Sequence, residues 1–119
     1  MEYTNKILTI LITLILLSLL TTYGVYVSSI MGHEEAHKTI NASCGAISYI
    51  EYAPLFILGE NKTIPITGCT NENMYEQVKI MHTLNETISY QTTPILIGIM
   101  LLQVIMMICI AVAFIGLKR

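Results

Sequence analysis

Residues 33–37 read His-Glu-Glu-Ala-His. On a helix, positions four apart share a face, so His33 and His37 can present two imidazoles to one metal ion. Glu34 then lies beside that ion, placed to take a proton from a water that the metal acidifies. This is the chemistry of metal-assisted hydrolysis. The chain has one further histidine, His82, followed one helical turn later by Glu86. These two also share a face, and a hydrolytic zinc site needs three protein ligands with a fourth position open. Glu86 can complete the set. His82 can replace it as third ligand, or donate a hydrogen bond to the oxyanion that forms during hydrolysis.

The elements that must carry these residues are unusual. The chain has 119 residues, enough for one domain, and is 54% hydrophobic with only 12% charged residues. Its mean hydropathy is +0.65, a composition of membrane proteins. The formal net charge of −2 carries no basic stripe, which excludes a nucleic-acid partner. Two uncharged runs, residues 7–31 and 94–117, exceed the roughly 20 apolar residues needed to cross a bilayer. The first run is longer than a signal-peptide core and lacks a small-x-small cleavage site, so it reads as a retained anchor. Pro94 suits the first turn of the second helix.

Lys6 precedes the first run and Lys118-Arg119 follows the second, whereas the intervening loop holds seven Glu against three Lys. Positive-inside reasoning places both termini in the cytoplasm and the loop outside. The glycosylation sequons at Asn41, Asn61 and Asn85 all fall in that loop. Cys44 and Cys69 also lie there, and a disulfide between them fits an oxidising compartment. The expected organisation is a cytoplasmic N-terminus (1–6), a first transmembrane helix (7–31), an extracytoplasmic head (32–92), a second transmembrane helix (93–117) and a cytoplasmic C-terminus (118–119).

Within the head, residues 33–41 continue the first span as a helix across Gly32. Residues 46–52 alternate in strand fashion, and residues 55–59 and 62–67 flank a turn, predicting a hairpin or a three-stranded meander with Pro65 on an edge. Residues 71–92 form a second helix, capped by Thr70 or Asn71, with Met74, Val78, Met81, Leu84 and Ile88 at helical spacing. The fold class is membrane α+β: two spans flanking a small head with a short sheet. Tyr23 and Tyr26 suit an interfacial aromatic belt. Gln103 can join the spans by a hydrogen bond, and Met100, Met106, Met107 and Cys109 are packing or lipid-facing residues.

His33-Glu34-Glu35-Ala36-His37 together with Asn85-Glu86 resembles the gluzincin zinc metallopeptidases, which pair HExxH on one helix with Asn-Glu on another. The resemblance rests on about ten residues. It implies His33, His37 and Glu86 as zinc ligands, Glu34 as general base, and a small sheet, here the 46–52 strand, that holds an extended peptide. It departs from thermolysin-like members at Tyr90, where an acidic residue supports a histidine; a tyrosine there would accept that hydrogen bond or face the oxyanion. In gluzincins the sheet also precedes the first helix, whereas here the strands lie between the helices. The implied function is a membrane-anchored zinc peptidase acting on peptides or membrane-proximal protein segments, with lipid around its spans. The alternatives are a non-catalytic membrane subunit or assembly factor, and metal binding without catalysis. A homo-oligomer is left open.

Overall fold

A computed structural model describes residues 2–117; Lys118 and Arg119, which the topology argument used, lie outside the described residues. Helix α1 spans Glu2–Ser43 and helix α2 spans Tyr75–Leu117. Between them lie strands β1 (Ser48–Glu51) and β2 (Lys62–Pro65), with short 3-10 turns at Pro54–Phe56 and Glu72–Met74. The chain divides into two compact units. One holds the chain up to Tyr26 together with the chain from Pro94, and the other holds Val27–Thr93.

The first unit consists of the two apolar helix segments. Both helices are long and apolar enough to cross a membrane, and the most apolar window of each is unburied by protein. Leu14, Leu17 and Leu20 on α1 and Leu102, Ile105 and Ile108 on α2 are all more than half exposed. Several hydroxyl groups in this unit are satisfied within their own helix, whereas Gln103 Oε1 is buried without a hydrogen-bond partner among the described residues. Thr9, Thr13, Thr21 and Thr22 each donate to the carbonyl four residues back, at 2.8–3.0 Å. Gln103 joins the two helices as expected: its Nε2 donates to Ser18 Oγ at 2.7 Å and to Thr22 Oγ1 at 3.1 Å.

The second unit is the head. α1 passes through Gly32 unbroken and ends in a glycine cap. Gly45 N–H donates to Ala42 O, and Ala46 N–H reaches back to Asn41 O, both at 3.0 Å. Gly45 has φ +84°, and a side chain there would collide with the Thr70 hydroxyl. The cap brings Cys44 to Cys69, and the disulfide expected between them is present, with Cα atoms 5.1 Å apart. Thr70 and Asn71 also donate their N–H groups to Cys44 O, at 2.9 and 3.1 Å. Around this junction sits the small core of Cys44, Ala46 and Val78, flanked by Ile40, Met74 and Met81. Such a core is too small to fix the head alone. Replacing both cysteines by serine releases a closed loop of 25 residues and is expected to cost about 3 kcal/mol. Thermal unfolding of the head in detergent, monitored by protease resistance, should shift to lower temperature; an unchanged midpoint would show that the disulfide constrains nothing.

β1 and β2 pair antiparallel, with Ser48 opposite Pro65 and Ile50 opposite Thr63. The sheet has two strands, so the three-stranded alternative does not form among the described residues. The expected strand at 55–59 is replaced by a tight turn. Pro54 has a fixed φ and no N–H to offer a ladder, and Leu55 and Phe56 then take φ +54° and +60°, incompatible with an extended strand. Asn61 holds the turn from inside: its Oδ1 accepts from Ala53 N–H at 2.9 Å and its Nδ2 donates to Phe56 O at 3.1 Å.

Two helix boundaries also differ from expectation. Asn71 caps only the 3-10 turn, without a side-chain hydrogen bond, and α2 proper begins at Tyr75. Pro94, expected in a first turn, lies inside α2, which runs on from the head segment without interruption. The missing N–H removes one bond, to the carbonyl of Tyr90, but the flanking helical segments carry the helix through.

Candidate metal centre

All three histidines of the chain meet in the head. α1 presents His33 and His37 on one face because they are one turn apart; α2 presents His82 and Glu86 by the same spacing. His37 Nε2 lies 3.1 Å from His33 Nε2 and 2.9 Å from Glu86 Oε1, and His33 Nε2 lies 3.7 Å from Glu86 Oε1. Three donors around a tetrahedral ion at metal–donor distances of roughly 2.0–2.1 Å are separated by about 3.3 Å. The observed triangle brackets that edge. His33, His37 and Glu86 therefore form a cluster that could hold a metal ion.

The hydrogen-bond chain behind His37 tightens this reading. His37 Nδ1 is 2.6 Å from His82 Nδ1, and His82 Nε2 is 2.9 Å from Asn41 Oδ1. The two rings are stacked, with centroids 4.8 Å apart. Burial, reinforced by the neighbouring His37, pushes the His82 pKa below its ordinary value against the weaker opposing effect of Glu86. A neutral imidazole has one N–H. The Asn41 oxygen takes it from His82 Nε2, leaving His82 Nδ1 to accept from His37 Nδ1–H. A neutral His37 then faces the Glu86 carboxylate oxygen with a bare Nε2. Two acceptors at 2.9 Å need a shared hydrogen or a cation between them, and a metal ion would supply the latter.

Glu34 is 3% exposed. Thr63, on β2, fixes it: the Thr63 hydroxyl is 2.7 Å from Glu34 Oε2 and 2.9 Å from the Glu34 carbonyl oxygen. Its single hydrogen serves the carboxylate in the shorter of the two contacts. Glu34 Oε1 is left facing the cluster, 3.9 Å from His33 Nε2. Asn85 completes the frame by donating its Nδ2–H to the His33 carbonyl oxygen at 2.9 Å.

A cleft of about 410 Å³ opens on the cluster, with Asn61, Lys62, Thr63 and Pro65 along one wall. Ile66 N–H donates to Ile47 O, and Pro65 has no N–H to give Ser48. The Ser48–Pro65 and Ile50–Thr63 pairs are therefore the non-hydrogen-bonded pairs of the ladder. The backbone groups of Thr63 and Pro65 point away from β1, to the free edge. The strand beside the site is thus β2, whereas the sequence suggested the 46–52 strand for that place.

The other candidate residues are placed as follows. His82 is in the cluster, but both its ring nitrogens are already engaged, by His37 and Asn41. Tyr90 is 77% exposed and does not line the cleft. The sequon residues Asn41, Asn61 and Asn85 each hold the internal hydrogen bonds described above, within the fold rather than standing free on its surface. Thr63 carried no signal in the sequence, since it meets Glu34 only across 29 residues of chain. Asn41 did carry one: it follows His37 by four residues and so shares its face.

No protein-family model, curated protein or solved structure matches this chain.

Proposed function

We propose that this protein is a membrane-anchored zinc-dependent metallopeptidase that cleaves peptide bonds near the outer membrane surface. The observation that carries the reading is the convergence of His33, His37 and Glu86 at 2.9–3.7 Å with the Glu34 carboxylate buried beside them. Two imidazoles and a carboxylate are a donor set suited to zinc with an open position. The likeness of His33–His37 and Asn85-Glu86 to the gluzincin motifs supports the same assignment.

When bound, the metal supplies a Lewis acid that polarises the scissile carbonyl and acidifies a water near it. The chain's own residues do the rest. A substrate main chain lies extended along the free edge of β2, pairing with the outward backbone groups of Thr63. Glu34 Oε1 takes a proton from the attacking water as the carbon–oxygen bond forms. The same proton passes from Glu34 to the leaving amine as the carbon–nitrogen bond breaks. Thr63, bonded to Oε2, keeps Oε1 aimed at the reacting atoms.

The two apolar helices serve as membrane anchors in this reading, with both termini cytoplasmic and residues 32–92 outside. The composition of the spans, the basic residues at the chain ends and the head disulfide support it. A cysteine introduced near Asn61 should react with an impermeant maleimide applied to intact cells; labelling confined to the C-terminus would reverse the topology.

Activity is tested on the full chain purified in detergent. It should contain one zinc per chain and cleave a quenched fluorescent peptide library. Stripping with a chelator should abolish cleavage, and added zinc should restore it. Zinc without cleavage of any peptide would leave a metal-binding membrane subunit; neither zinc nor cleavage would remove the peptidase altogether.

A further inference from the structure

His82 and Asn41 have no place in the proton path above, yet they make the shortest polar contacts behind the cluster. Every ring nitrogen of His82 and His37 has a defined partner. Asn41 Oδ1 lies 2.9 Å from His82 Nε2, and His82 Nδ1 lies 2.6 Å from His37 Nδ1. All three side chains are partly buried. α1 supplies both ends of this chain, His37 and Asn41, one turn apart. α2 supplies the middle, His82, one turn before the ligand Glu86.

We propose that Asn41 and His82 are a positioning pair that holds His37 as a metal ligand. The proposal rests on the metal-centre reading above and adds residues that the HExxH and Asn-Glu motifs do not contain. Three consequences follow from the geometry. The Asn41 oxygen fixes the His82 proton on Nε2. His82 Nδ1, now an acceptor, draws the His37 proton to Nδ1. His37 Nε2 is left unprotonated and aimed at the ion. A ligand histidine whose second nitrogen is held in this way binds its metal more tightly, because neither its tautomer nor its ring orientation must be selected on binding. The pair also ties α1 to α2 at the point where the ligand set spans both helices. His33 has no such support: its Nδ1 is buried without a hydrogen-bond partner among the described residues.

The arrangement assigns His82 a role different from oxyanion stabilisation. Its two nitrogens are occupied, so it cannot donate to a substrate oxygen without releasing His37 or Asn41. It is a positioning residue, and its loss should appear in metal affinity.

The test is zinc affinity of the full chain in detergent, measured by competition with a chromophoric zinc chelator. His82→Ala should weaken zinc binding by about 10–100-fold, the usual effect of removing such a partner. Asn41→Leu should weaken it less, since His82 then remains beside His37. His82→Gln, whose amide oxygen can accept from His37 Nδ1, should recover most of the affinity. Asn41→Leu added to His82→Ala should cause no further loss, because Asn41 acts only through His82. His33→Ala serves as the control that loses a ligand outright, and helical circular dichroism with an intact disulfide reports folding. Unchanged affinity in a folded His82→Ala variant, with His33→Ala defective, overturns the pair while leaving the metal centre standing. Reduced turnover of His82→Ala at full zinc affinity also overturns it and returns His82 to the oxyanion. Absence of zinc binding by the unaltered chain removes both the pair and the centre.

Discussion

Replacing His33 and His37 together by alanine is expected to take zinc from one per chain to background and peptide cleavage below detection. Each histidine contributes one of three donors, and the remaining carboxylate, Glu86, is half-exposed and has no other partner at ligand distance among the described residues. A single carboxylate retains zinc only weakly, so the loss should be complete at micromolar metal. The helix itself should survive. Alanine is the best helix former, and neither histidine belongs to the small core at Cys44 and Val78. Elemental analysis of variant and unaltered protein, purified side by side, gives the answer. Equal zinc content in the two would show that the 33–37 segment binds no metal and that its polarity serves only helix α1.

Replacing Glu34 by glutamine should separate binding from chemistry. The amide keeps the shape of the carboxylate and can still accept the hydrogen bond from Thr63, but it cannot take a proton from water. Zinc content should be unchanged while kcat falls by about 10²–10⁴-fold, the usual contribution of a positioned general base. KM should move little, because Glu34 Oε1 faces the metal cluster rather than the β2 edge proposed to hold the substrate. Thr63→Val is the companion. It keeps the strand and the volume but removes the hydroxyl that holds Oε2, so kcat should fall by a smaller factor and Thr63→Ser should recover it. Full activity of Glu34→Gln would exclude Glu34 as the base. Loss of zinc in the same variant would instead make Glu34 a ligand.

Much of this molecule is legible in its residues. Two long uncharged runs read as apolar helices long enough to cross a membrane, since a helix satisfies its backbone groups within one segment. The spacing of His33 with His37, and of His82 with Glu86, places each pair on one helical face whatever the rest of the chain does. Cys44 and Cys69 are the only two cysteines of the head, and their disulfide follows from that isolation. These properties are local: each depends on residues within a few turns of one another, or on composition alone.

Tertiary structure decided what spacing cannot. Periodicity gives the face of a helix but not which neighbour it meets, so the approach of Glu86 to His33 and His37 across about 50 residues of chain had no local signal. The same holds for Thr63, whose hydroxyl matters because the hairpin register turns residue 63 towards α1. The expected strand at 55–59 failed for a related reason. Its apolar residues suit a strand, but Pro54 and the Asn61 side chain hold the backbone in a left-handed turn. His82 shows the difference most directly. Its position one turn before Glu86 announced a place at the site, but only the packing of α2 against α1 set its two nitrogens between His37 and Asn41. Hydrogen-bond roles depend on distances of a few tenths of an ångström between elements distant in sequence, and those distances arise only when the helices, the glycine cap and the disulfide close on one another.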